Sequence, residues 1–322
     1  SMPGIESDED YLSGRAHPSV FEATTVDLER LLVQAAALPA DGVPPAVRLH
    51  VRAVPETIGQ IFGDGLDEQL FDTPCAIARL ARGTAQMRRY RVSTAGTTDA
   101  AGRPLRFHWR VLRGPDVRVT PLDDAGTQAI IEVPWTEAYP VPGQTDLVTR
   151  RIDVGVFADN GVTLSAPAFF SMAFPPTQRR RYGSNGRLEE IAYDPPDMAE
   201  TYADPRLHPW RGWRDLYDWS ADGRLRGWKR ILADGTVSHY TADGLLVRQT
   251  DAQGRPTLAE AVAYPRRPAL RRERDGRERI TVEPTGVFYR YQYDGPEDRT
   301  GRAVQTDAPE TNIDGPALNA RD

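Results

Sequence analysis

Four steps, Asp222-Gly223, Asp234-Gly235, Asp243-Gly244 and Gln253-Gly254, follow one another at intervals of 12, 9 and 10 residues. Asp-Gly supplies the positive φ angles that a two-residue hairpin requires, and turns spaced this closely leave short strands between them. The stretch therefore predicts an antiparallel β-meander.

Upstream, from about 86 to 176, short β-rich runs are separated by turn chemistry. Met87 to Ser93, Arg106 to Leu112, Val117 to Pro121, Gln128 to Val133, Arg151 to Phe157 and Ala168 to Phe174 read as six strands. Their spacing suits a β-sandwich of roughly seven strands. Before Gly83 the pattern is mixed. Val26, Leu28, Leu31, Leu32, Ala35, Ala36 and Leu38 recur at helical spacing, with Thr24 or Thr25 placed to cap the run and Pro39 to stop it. Val47 to Val54 alternates as a half-buried strand with His50 on its polar side. Thr73, Pro74 and Gly83 bracket Cys75 to Arg82 as a short helix in which Cys75 is a buried packing residue.

The expected architecture is mainly β: a small helical N-terminal segment (1–84), an immunoglobulin-like β-sandwich (85–176), a β-meander (177–307) and a flexible tail (308–322). A chain of 322 residues, 39% of them hydrophobic, has enough material for such cores. No apolar run approaches the roughly 20 residues of a membrane span. The net charge of -6, from 40 basic and 46 acidic residues, argues against a nucleic-acid or anionic-membrane partner. Lys229 is the single lysine among those basic residues, which points first to a GC-rich genome. The lone Cys75 has no second thiol for a disulfide or a thiolate metal site. Ser1-Met2-Pro3 has no signal-peptide features and reads as the remnant of a cleaved tag, so a signal peptide or a preceding domain is expected upstream.

Two resemblances sharpen the picture. The stretch from Thr98 through Asp99, Gly102 and Pro104 to Phe107-His108-Trp109 resembles the PKD-like and cadherin-like immunoglobulin-fold modules. It implies that Trp109 is a core tryptophan and that Asn160-Gly161 closes a later hairpin. Calcium-binding members have a dense acidic turn, whereas Ala101 and Arg103 stand at those positions here. Tyr182-Gly183-Ser184-Asn185-Gly186-Arg187-Leu188 recurs loosely as Tyr217 to Leu225 and as Tyr240 to Leu246, with a weaker copy at Asp251 to Pro256. This is similar to the YD repeat of Rhs and teneurin-type secreted proteins, where each unit adds hairpin strands to a continuous sheet. Four degenerate copies are too few to close the shell that such families build.

No nucleophile elbow, phosphate loop or dinucleotide fingerprint occurs, and His17, His50, His108, His208 and His239 form no close metal-binding pair. No cofactor, metal or catalytic residue is expected. The best binding candidate is the aromatic concentration Trp210, Trp213, Tyr217, Trp219 and Trp228, with Arg211, Arg214 and Asp215 as orienting polar groups. Its first reading is packing, because a thin meander has little core of its own; its second is a stacking face for sugar rings. Trp210, Trp213 and Tyr217 would also suit a short helical turn. The basic run Arg266, Arg267, Arg271, Arg272, Arg274, Arg277 and Arg279 is interleaved with Glu273, Asp275 and Glu278, so it reads as a solvated, ion-paired strand face before an anion site.

The expected function is a non-catalytic binding or accessory region of a larger secreted or periplasmic bacterial protein, with a polysaccharide or an adjacent domain of the parent as partner. The competing expectation is a glycan-active hydrolase or lyase at the sandwich–meander junction. It would use dispersed carboxylates with His208 or His239, walled by the Pro-rich loop from Asp194 to Trp210.

Overall fold

A computed structural model of the chain describes residues 4–18, 27–53, 69–141, 144–198, 203–204, 208–267 and 279–308. The chain is mainly β and divides into two compact units. Among the described residues the first comprises 4–18, 27–53, 69–82, 87–141 and 144–174, and the second 83–86 together with the residues from 175 onward.

In the first unit one sheet runs β1 (His50–Ala53), β4 (Met87–Ser93), β7 (Gln128–Pro134), β6 (Arg118–Pro121), all antiparallel. The other runs β2 (Gln69–Thr73), β3 (Ala76–Leu80), β11 (Ala168–Ala173), β10 (Arg151–Asp159), β5 (Arg106–Arg113), with β3 and β11 parallel. A separate ribbon pairs β8 (Tyr139–Val141) with β9 (Gln144–Thr149). Tyr90, Val92, Ile131 and Val133 from the first sheet and Ile77, Trp109, Val154 and Met172 from the second form one apolar core. Each such side chain contributes about 1.5–3 kcal/mol by leaving water. Trp109 is buried, and its indole N–H donates to the Gly126 carbonyl at 2.8 Å, so its one polar atom costs nothing.

All six runs expected between 87 and 174 are strands. The sandwich has nine rather than seven, because β1, β2 and β3 come from the N-terminal segment. The expected helix over Cys75 to Arg82 is corrected to β3. Thr73 Oγ1 accepts from the Ala76 amide at 3.0 Å and donates to the Ala76 carbonyl at 2.9 Å, closing a hairpin tip at Pro74-Cys75. Threonine before proline serves a turn as well as a helix cap. Cys75 is therefore exposed at that tip, not packed.

Two helices precede the sandwich strands. Ser7 caps α1 (Asp8–Tyr11), and Asp27, rather than Thr24 or Thr25, which lie outside the described residues, caps α2 (Leu28–Ala37). No residue of α2 is buried, so this helix does not pack on the sandwich. Residues 11–17 do: Leu12 packs with Leu112 and Phe157, joined by Tyr11 and Phe169. This explains why Ile152 to Ala158 is buried on both faces of β10 and reads as a nearly continuous apolar run.

The second unit is built on one nine-stranded antiparallel sheet in the order β12 (Gln178–Tyr182), β13 (Leu188–Tyr193), β14 (Trp213–Trp219), β15 (Leu225–Leu232), β16 (Val237–Thr241), β17 (Leu246–Thr250), β18 (Pro256–Ala263), β21 (Glu283–Gln292), β22 (Arg302–Thr306). A small ribbon of β19 (Arg266–Arg267) and β20 (Arg279–Ile280) supplies Ile280 to a core with Leu188, Ile191, Tyr193 and Trp213. Five turns of this sheet share one geometry, and it is not the two-residue hairpin expected. In the turn after β14, Gly223 N donates to Ser220 O at 3.0 Å and Ser220 N to Arg224 O at 2.9 Å; the turns at Gly186, Gly235, Gly244 and Gly254 repeat the pattern. Only the glycine has positive φ, from 75° to 90° across the five. This is the three-residue loop of a type I turn with a glycine bulge.

Candidate functional site

Alternation along β14 and β15 decides where the aromatic residues go. Trp213, Asp215 and Tyr217 share one face, opposite Leu232, Arg230 and Trp228, and Trp228 in turn opposes Tyr240 on β16. Tyr217, Trp228 and Tyr240 consequently stack as a cross-strand ladder, with ring centroids 6.1 and 5.2 Å apart. Beside it Arg230 makes two 2.8 Å bonds to the Asp215 carboxylate, and its guanidinium lies 4.2 Å over the Trp213 ring and 4.9 Å over Tyr240. Burial penalises the Arg230 cation, but the Asp215 charge and hydrogen bonds more than offset it and hold its pKa well above the ordinary value. Burial first, then the charge of Asp215, pushes the Tyr193 phenol up to about 12.

Trp213 and Trp228 are thus packing residues, with 6% and 2% of their surfaces exposed. Trp210 is half-buried; its carbonyl accepts from Ile280 N at 2.9 Å, and the Arg279 guanidinium lies 4.8 Å above its ring. The suggested helical turn through Trp210, Trp213 and Tyr217 is corrected, since β14 begins at Trp213. The expected orienting groups are elsewhere too. Asp215 is fully buried against Arg230, Arg214 is exposed and pairs with Glu190, and the Arg211 guanidinium lies 5.0 Å from the Tyr193 ring.

Tyr217 and Trp219 have a different setting. The β13–β14 ladder runs from Ala192↔Arg214 to Glu190↔Leu216 and stops there, and β14 carries a bulge between Asp218 and Trp219. Beyond that point the two hairpin tips, 183–187 and 220–224, are no longer joined by ladder pairs, and the Trp219 indole N–H bridges back to the Leu188 carbonyl at 2.6 Å. A groove of about 500 Å³ opens there, lined by Arg181, Asn185, Arg187, Glu189, Leu216, Tyr217, Trp219 and Ser220. The Tyr217 hydroxyl is buried and has no hydrogen-bond partner among the described residues; burial, reinforced by Tyr193 and Asp215, raises its pKa well above 10. Two aromatic rings with an amide, a hydroxyl and charges of both signs are the chemistry of a polar, ring-bearing ligand site.

Arg181, Asn185, Arg187, Glu189, Leu216 and Ser220 were not among the expected site residues. Their assembly depends on where a ladder ends, which composition and periodicity do not encode. The repeat Gly186-Arg187-Leu188 and Gly223-Arg224-Leu225 was the one sequence signal pointing at them.

Among the histidines, His50 is exposed, His208 is buried in its loop, His239 lies exposed on β16 and His108 Nε2 sits 3.3 Å from Asp159. Among the described residues no three His, Cys, Asp or Glu side chains gather as a metal site. Of the basic run, Arg267 pairs with Glu283, and Arg271, Arg272, Arg274 and Arg277 lie outside the described residues together with Glu273, Asp275 and Glu278. No helix among the described residues is long and apolar enough to cross a membrane. In comparisons with known proteins, no family model matches the chain and no curated protein gives a significant match.

Proposed function

We propose that this chain is a non-catalytic, glycan-binding accessory region of a larger secreted bacterial protein, and that the ligand docks in the groove at Trp219. The observation that carries this reading is the groove itself: a half-buried indole, fixed in orientation by its bond to Leu188, faces a cleft rimmed by Asn185, Ser220 and charged groups. A flat ring supplies stacking area at low entropy cost, and convergent polar groups select a hydroxyl pattern. The resemblances to PKD-like modules and to YD repeats agree with it, since both are carried on secreted chains. Of the five aromatic residues first considered, Tyr217 and Trp219 remain in the ligand site; Trp210, Trp213 and Trp228 serve the fold.

Affinity electrophoresis of the purified chain against a panel of neutral and acidic polysaccharides tests this. Retardation by at least one glycan is expected, weakened tenfold or more by Trp219→Ala and unchanged by Trp210→Ala, with reducing ends absent from the products. Release of reducing ends would support the hydrolase or lyase reading, and failure to bind any glycan would overturn the proposal.

A further inference from the structure

Arg187 sets the groove's charge. In the turn after β14, Arg224 pairs with Asp222 of its own loop at 3.1 Å. In the turn after β12 the residue equivalent to Asp222 is Asn185, whose side-chain oxygen only accepts the Arg187 amide at 3.0 Å. Arg187 therefore lacks the carboxylate that its repeat counterpart has, and its guanidinium pairs with no acid among the described residues. It lies across Gly223 of the neighbouring hairpin, where any Cβ would run into it. The other cation of the lining, Arg181, is already held by Glu189 and Glu190. Among the cations of the lining Arg187 is thus the one with no acid partner among the described residues, and it presents its charge as a planar fork.

We propose that the groove selects an acidic sugar, its carboxylate paired with the Arg187 guanidinium while its ring lies against Trp219. One planar carboxylate per sugar matches one free guanidinium in charge and in bidentate geometry. This inference rests on the glycan-binding reading above and names the ligand class of that site.

Titration calorimetry with uronate-containing polysaccharides and the same polymers after carboxyl reduction tests it, because reduction removes the charge and keeps the sugar backbone. The acidic form is expected to bind at least tenfold more tightly, with the preference weakening as salt rises. Arg187→Gln should abolish the preference and Arg187→Lys retain part of it. Asn185→Asp should lower it without touching the arginine, by giving Arg187 the internal partner that Arg224 has. Arg302→Gln, an equal charge loss at the far edge of the sheet, should leave it intact. Equal binding of reduced and acidic polymers, or a preference that survives both Arg187→Gln and Asn185→Asp, overturns the inference and leaves glycan binding standing. Binding to no glycan overturns both.

Discussion

Inside the second unit the Asp215 side chain has no exposed surface and Arg230 keeps 1% of its own. Two opposite charges so placed depend on each other for solvation, and removing one strands the other at a cost of about 3–5 kcal/mol. Asp215→Asn should therefore lower the unfolding free energy by that order in urea titrations followed by tryptophan fluorescence. Asp218→Asn, three positions along the same strand, breaks a pair with Arg226 that is exposed and 3.8 Å long. Its effect should stay below about 1 kcal/mol. Comparable small losses for both would show that Arg230 reaches water when its partner is gone. At this scale the burial of Trp109 matches what the resemblance to immunoglobulin-fold modules implied. Asp215 was misread because its partner lies 15 residues away across a strand pair, and only register brings the two together.

Elements were more legible than residues, and the misreadings share a cause. Asp-Gly suits a two-residue hairpin and a glycine-bulge turn alike, and Thr-Pro suits a helix start and a hairpin tip alike, so the dipeptide located the turn without naming its kind. The groove was hidden for a related reason: a ladder that stops at Glu190↔Leu216 leaves no mark on hydrophobic alternation. The N-terminal segment carries a testable consequence of its packing. His17 Nε2–H donates to the Tyr11 carbonyl at 2.7 Å, and the ring packs among Tyr11, Phe157 and Phe169. Burial pulls its pKa below 6.5, outweighing the opposing effect of that hydrogen bond. The docked segment thus binds fewer protons than the undocked one; docking is fully favoured above pH 6.5 and weakens as the pH falls through 6.5 toward the lowered value. Protection factors of the amides of residues 11–17 should fall over that range, and His17→Phe should flatten the dependence. A profile that is equally steep in His17→Phe would place the titrating group elsewhere.

At the scale of the whole molecule, two β units with separate cores were legible because hairpin spacing and turn chemistry recur along most of the chain. Their composition was less so, since short pieces of the N-terminal third serve both. Residues 83–86 belong to the second unit, where the Gly83 carbonyl accepts from Arg180 at 2.6 Å and the Ala85 carbonyl from the Tyr182 hydroxyl at 3.4 Å. Arg180 is buried, so losing the Gly83 carbonyl leaves a charged donor short of one partner, at about 1–3 kcal/mol. A fragment of residues 175–308 should accordingly unfold at lower urea than the corresponding transition of the full chain, by a difference of that order. Identical midpoints would show that residues 83–86 add nothing to the second unit.

That four-residue excursion also bears on how such a chain can be inherited. Beads on a string are exchanged between genes by a single cut at each linker, and each bead arrives whole. Here a crossover between 174 and 175 would hand the recipient a meander missing a piece encoded some 90 codons upstream. A meander exchanged alone would carry the loss in stability set out above, and a substitution at Gly83 or Ala85 is felt by strands that lie far beyond it in the gene.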